Sequence, residues 1–188
     1  MATKSSRSPS TPSSSAASRA RPKNGSRMTR RASSSASSNS GRPQDAIALL
    51  KADHREVKAL FAEYDKAEED TKKQDLADRI CGALKVHTRV EEEFLYPAAY
   101  DALDQDGDDL LDEAEVEHAC AKALIAEIEA MSVGEPLFDA KVKVLGEYID
   151  HHVKEEEGEL FPECKDADMD LKALGAAMAA RKAELMGA

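Results

Sequence analysis

His87-Thr88-Arg89-Val90-Glu91-Glu92-Glu93-Phe94-Leu95-Tyr96-Pro97 returns 65 residues later as His152-Val153-Lys154-Glu155-Glu156-Glu157-Gly158-Glu159-Leu160-Phe161-Pro162. In both copies a histidine precedes a glutamate by four residues, a spacing that on an α-helix stacks imidazole and carboxylate on one face. A second matched pair lies about one helix upstream of each copy. Asp53-His54 followed by Lys58-Ala59-Leu60 is echoed by Glu117-His118 followed by Lys122-Ala123-Leu124. The order is therefore His, His-x-x-x-Glu, His, His-x-x-x-Glu. Such doubling predicts two helical hairpins related by an approximate two-fold axis, each turning an equivalent ligand set toward a shared middle. The candidate metal ligands are His54, His87, Glu91, His118, His152 and Glu156, and two equivalent sets suit two metal ions.

The charge of the chain is divided as sharply as its text is doubled. Residues 1–44 hold nine Lys or Arg, many Ser, several Pro and no acid, with no run of large apolar side chains to offset the entropy of ordering. They are expected to form a disordered basic tail. The remaining 17 Lys and Arg face 37 Asp and Glu, so the overall charge of -11 conceals an acidic body of formal charge -20. Such an arm acts either as a solvated linker or as a weak electrostatic contact to nucleic acid or another anionic partner, the latter steeply salt-dependent. An organelle transit peptide shares the Ser/Arg bias, but Leu and Phe are missing where an amphipathic face would need them. No stretch approaches the roughly 18 consecutive apolar residues of a bilayer span. The expected location is cytoplasmic. Cys81, Cys120 and Cys164 have no Cys-x-x-Cys spacing and read as small buried hydrophobes rather than a disulfide framework.

From Pro43 onward Ala, Leu, Glu and Lys dominate, and no alternating run of β-branched residues suggests a strand. The periodicity predicts an all-α, up-down-up-down four-helix bundle over 45–164 and a short C-terminal helix within 165–188. The first helix spans about Asp45 to Glu68. The second begins near Thr71 and is kinked or ended by Pro97. The third runs from about Leu110 to Met131 with Val116, His118, Ala121, Ile125 and Ile128 inward. The fourth starts around Pro136, carries Val144, Tyr148, His152, Glu156 and Leu160 inward, and stops at Pro162; the fifth covers roughly Met169 to Leu185. Asp104 to Asp109 fails the calcium-loop pattern when Gly107 is aligned to its glycine and reads as an acidic solvated turn.

A lone histidine on an apolar helical face is usually an ordinary core residue. Here all five histidines fall in the four matched segments, and four of them correspond between the halves. His152 is preferred to its neighbour because it precedes its proline by ten residues, as His87 does. His151, about 100° around the helix, is left as a supporting partner, a fifth nitrogen ligand or an exposed bystander. Glu92, Glu93, Glu155 and Glu157 are expected mostly to face solvent, and Lys58 and Lys122 to snorkel outward. Imidazole plus carboxylate without thiolate suits iron, manganese or zinc. Glu115 to His118 supplies only one of the two Glu-x-x-His motifs a ferritin-like site requires.

These residues resemble the haemerythrin-like family, also called the HHE cation-binding domain, over about Asp45 to Pro162. The resemblance implies a non-haem di-iron centre of two Fe ions, oxo- or hydroxo-bridged, with Glu91 and Glu156 bridging and His54, His87, His118 and His152 as terminal ligands. It also implies dioxygen, peroxide or nitric oxide as the small ligand, for sensing, storage or stress handling. The family's oxygen carriers place an extra histidine on the third helix four residues after the first; that position is Lys122 here, and the preceding turn offers Ala114, so the five-histidine set is not reproduced. The expected function is metal and oxidant binding rather than turnover of an organic substrate. Two alternatives stand beside it: a peroxidase- or catalase-like enzyme with Tyr148 as a proton or electron source, and a metal-responsive binding module tethered by the basic tail.

Overall fold

The computed structural model describes residues 44–187. The expected tail and its boundary at residue 44 lie almost wholly outside the described residues. In chain order the helices are α1 (Ala46–Tyr64), α2 (Asp70–Val90), α3 (Tyr96–Tyr100), α4 (Gln105–Glu129), α5 (Phe138–Glu155), α6 (Phe161–Asp166) and α7 (Leu171–Gly187). Helices α1 and α2 form one antiparallel hairpin and α4 and α5 the other, while α7 packs against α1 and α2. Helix α7, 17 residues long, is the expected C-terminal helix, shifted by two residues. Asp45 opens α1 with its Oδ1 accepting the Ala48 N–H at 2.8 Å, satisfying one of the donors a helix start leaves free.

Pro97 and Pro162 do not end their helices. A proline cannot donate to the carbonyl four residues back and its ring crowds that carbonyl. The chain absorbs this by widening into π turns over Glu91–Leu95 and Glu156–Leu160, where the Tyr96 N–H donates to Glu91 O and the Phe161 N–H to Glu156 O. Each helix then continues as α3 or α6. The wider turn has a second effect, because it lets the adjacent pairs Leu95–Tyr96 and Leu160–Phe161 both point inward together with the glutamates that open the turns.

Three other expectations give way. The acidic stretch at Asp104 is the start of α4, with Asp104 Oδ1 accepting the Asp106 N–H at 3.2 Å and Asp106 and Asp108 in the first turn, where the helix dipole favours negative charge. Val116 and Val144 are 63% and 51% exposed instead of buried, because Glu117 and Leu145 take the inward positions beside them. Cys120 is exposed, unlike Cys81 and Cys164.

The core is divided along the bundle axis. One apolar cluster includes Leu60, Ile80, Leu84, Ile128, Phe138 and Leu145; the other includes Ile47, Leu50, Leu95, Leu111, Phe161 and Met178. Between them lies a layer of buried polar residues. Helix α7 closes the second cluster through a close approach, since a Cβ on Gly175 would lie 2.6 Å from the backbone of Ala46 and closer still to Gln44 O. We expect Gly175→Val to destabilise the fold by about 1–3 kcal/mol through overpacking against backbone. Gly82 lies inside α2 with nothing within 4 Å of its would-be Cβ, and Gly82→Ala should stabilise by roughly 0.5–1 kcal/mol. Urea melts of the two variants read both signs.

Candidate metal centre

The polar layer brings together all six candidate ligands, one set from each hairpin and every one nearly inaccessible to solvent. His54 on α1 and His87 on α2 face each other with Nε2 atoms 3.2 Å apart; His118 on α4 and His152 on α5 do the same at 3.2 Å. Glu91 Oε2 lies 3.2 Å from His87 Nε2 and 3.4 Å from His118 Nε2, so it spans the two hairpins. Glu156 Oε2 mirrors it at 3.3 Å from His54 Nε2 and 3.5 Å from His152 Nε2. The donors fall into two overlapping sets, His54 with His87, Glu91 and Glu156, and Glu91 with His118 and His152.

Each imidazole has an acid behind it. His54 Nδ1 meets Glu157 at 2.9 Å, His118 Nδ1 meets Glu92 at 3.0 Å, His152 Nδ1 meets Glu117 at 2.8 Å, and His87 Nδ1 stands 3.8 Å from Asp53. A carboxylate on Nδ1 favours the tautomer whose proton is there, leaving the Nε2 lone pair for the centre. The approximate two-fold holds for the placement of the acids, although His87 Nδ1 and Asp53 Oδ2 make no hydrogen bond at 3.8 Å. Asp53 and Glu117, each just before a histidine, back the histidine of the next helix, whereas Glu92 and Glu157, each just after an inward glutamate, back the histidine of the other hairpin. Glu92 and Glu157 therefore differ from the solvent-facing role expected of them. The repeated acid-His and Glu-Glu doublets carried that signal in the sequence. Lys122 binds Glu92 at 2.7 Å, Lys58 ion-pairs on the surface with Asp150 at 3.1 Å, and His151 is exposed, 3.3 Å from Glu155.

One residue of the centre escaped the sequence reading. Tyr96, freed to turn inward by its π turn, places its hydroxyl 3.2 Å from His118 Nε2 and donates to Glu156 Oε1 at 3.0 Å. Its mate in the repeat is Phe161, stacked on His54 with ring centroids 5.8 Å apart. One hydroxyl thus distinguishes the two halves. Tyr148, for which a core position stood beside the role of proton or electron source, lies half-buried against the first apolar cluster.

The donor set fits a cation. Both carboxylate oxygens of Glu91 and Oε2 of Glu156 are buried without a hydrogen-bond partner, and the paired Nε2 atoms aim lone pairs at one another. Two nitrogens each about 2.1 Å from a common ion and roughly at right angles would lie about 3 Å apart, near the observed separation. Desolvation drives the Glu91 pKa well above the carboxylate range, and repulsion from Glu156 and Asp53 drives it further. Glu156 is equally desolvated, yet the close approach of His54, with His152 and His87 nearby, holds its pKa low. Burial pushes His118 down to about 4, with the neighbouring His152 adding to the shift, and burial also lowers His87 against the pull of Asp53. Both shifts favour the neutral ring that donates to a metal, whereas Glu156 and Glu157 raise the pKa of His54 against its burial.

Chelation should lower the melting temperature, removing about 2.7 kcal/mol if free metal stood at a hundredfold its Kd. Glu91→Gln keeps the shape, cannot ionise and loses the carboxylate that faces both pairs of histidines. We expect its melt to be the same with and without chelator; a wild-type melt indifferent to chelation would contradict this reading.

Comparison with known proteins agrees with the geometry. The Hemerythrin HHE cation binding domain model matches residues 45–164. A DNA nickase from Nostoc sp. is 32% identical over 114 residues, which cover 60% of this chain and 31% of that protein, so the chain spans less than a third of its relative's length. The crystal structure of a hemerythrin HHE cation binding domain-containing protein from Mycobacterium kansasii superposes with a TM-score of 0.65 at 24% identity, covering 77% of this chain and 88% of that one. That likeness shows the fold. With the family model covering the whole helical bundle, the chain belongs to the Hemerythrin HHE cation binding domain family.

Proposed function

We propose that the chain is a non-haem di-iron protein that takes up dioxygen, peroxide or nitric oxide. The observation that carries this reading is the closed setting of the two donor sets. The cavity beside His54, His87 and His152 measures about 10 Å³ and is otherwise walled by Val57, Leu84, Thr88, Ile149 and Val153 beside Asp53. A space of one water-sized probe matches a diatomic or triatomic molecule. When bound, a pair of irons supplies redox-active positions at which such a molecule is held or reduced. The protein's own part is to fix the imidazoles through their backing acids, keep bulk water out with the two apolar clusters, and present the Tyr96 O–H as a proton donor within the centre.

The iron-loaded full chain is expected to show a near-ultraviolet or visible charge-transfer band that changes on exposure to oxygen or peroxide. His54→Ala and Glu156→Ala should abolish it. An iron-loaded chain with no response to either oxidant would reject the proposal. If the centre also turns over peroxide, Tyr96→Phe should reduce kcat about a hundredfold, as expected for loss of a positioned proton donor.

A second reading rests on a separate observation, the nine Lys or Arg without an acid in residues 1–44 together with the likeness to a protein described as a DNA nickase. In this reading the arm tethers the metal-loaded bundle to nucleic acid. Deleting residues 1–43 should abolish salt-sensitive retention on duplex DNA and leave metal content unchanged. Equal retention with and without the arm would exclude it.

A further inference from the structure

The two halves differ most where the Nδ1-backing acids reach the surface. Under the approximate two-fold, Asp53 corresponds to Glu117, Leu49 and Leu50 to Glu113 and Ala114, and Val86 and Val90 to His151 and Glu155. The Asp53 side is sealed: Leu49, Leu50 and Val90 are buried, α7 packs over α1 and α2, and the Lys182 ammonium sits directly on Asp53 Oδ1. A cation supplied by the chain thus neutralises that carboxylate.

The Glu117 side is built from the same backbone, and although Glu117 is as buried as Asp53, its neighbour His151 is exposed. Glu117 Oε2 holds His152 at 2.8 Å, while its Oε1 points outward, 3.7 Å from His151 Nε2, which lies 3.3 Å from Glu155 Oε1. These three donor atoms lie within 4.8 Å of one another. No Lys or Arg pairs with Glu117 among the described residues. Behind the three donors, where the Leu-to-Ala change at position 114 removes bulk, a cavity of about 10 Å³ is lined by Glu113, Glu117 and Glu155 and reaches His152 and Glu156. Glu156, 2% exposed, forms its inner wall, and its Oε2 has no hydrogen-bond partner.

We infer that Glu117, His151 and Glu155 form a third, surface site for a divalent cation, through which metal enters the buried centre. One imidazole with two carboxylates suits a borderline first-row ion such as Fe²⁺ or Mn²⁺. At a surface position with its His151 side chain 55% exposed, the site binds weakly and exchanges readily. Glu117 joins it to the centre, because the carboxylate that receives the ion outside also positions His152 inside. The inference rests on the reading of the buried residues as a metal centre.

The test is the double variant His151→Ala plus Glu155→Ala in the full chain, which leaves Glu117 and every buried ligand in place. Mn²⁺ titrated into the iron-loaded chain and followed by electron paramagnetic resonance should show one further ion bound by the wild type and none by the variant. Fe²⁺ uptake by chelator-treated chain should be about tenfold slower in the variant, the scale expected when a charged funnel is lost, with the same final iron content. No additional Mn²⁺ on the wild type, or equal uptake rates, would overturn the inference while leaving the buried centre intact. Failure of the wild type to take up iron at all would sink the centre and its entry site together.

Discussion

Four imidazoles and two carboxylates face one another across a dry layer between two apolar clusters, and without a cation that arrangement is self-repelling. Facing Nε2 lone pairs and two desolvated glutamates offer no net attraction among themselves. An uncompensated buried charge costs about 3–5 kcal/mol, comparable to the whole stability of a small domain. Burial and the repulsion of Glu156 push the Glu91 carboxyl toward its protonated form, while the surrounding histidines favour an ionised Glu156. A metal ion removes the need for that compromise. The layer is therefore both the weakest part of the fold and the part that carries its chemistry.

The rest of the molecule holds this layer open without letting it collapse. Backing acids fix the rings, and the π turns at the two prolines bring each glutamate and the following aromatic residue to the inside at once. Approximate symmetry supplies two metal positions, and its departures give them different surroundings. Tyr96 against Phe161 sets a hydroxyl beside one pair of histidines and an apolar ring beside the other. Lys182 and α7 cover one flank, and on the other Glu117 lies beside the exposed His151. The repeat thus gives the centre its ligands, and the departures from symmetry give those ligands different surroundings.

The doubled His-x-x-x-Glu text made the bundle and the six inward residues legible because helical periodicity alone places residues four apart on one face. The backing acids were harder to read. Asp53 and Glu92 reach histidines on other helices, and a spacing within one helix says nothing about such partners. Tyr96 was missed because an ideal 3.6-residue turn carries it away from Glu91, and only the π turn returns it to the centre. Val116 and Val144 were misplaced because apolar character was weighed above the tertiary demand for Glu117 and Leu145 beside them.

The most direct measurement is metal content by elemental analysis of the full chain expressed with added iron, repeated on His87→Ala and His152→Ala. The account predicts two irons per wild-type chain and a marked loss in either variant, since the bridging glutamates make each ion depend on the other. Two irons retained in both variants, or none in the wild type, would contradict it.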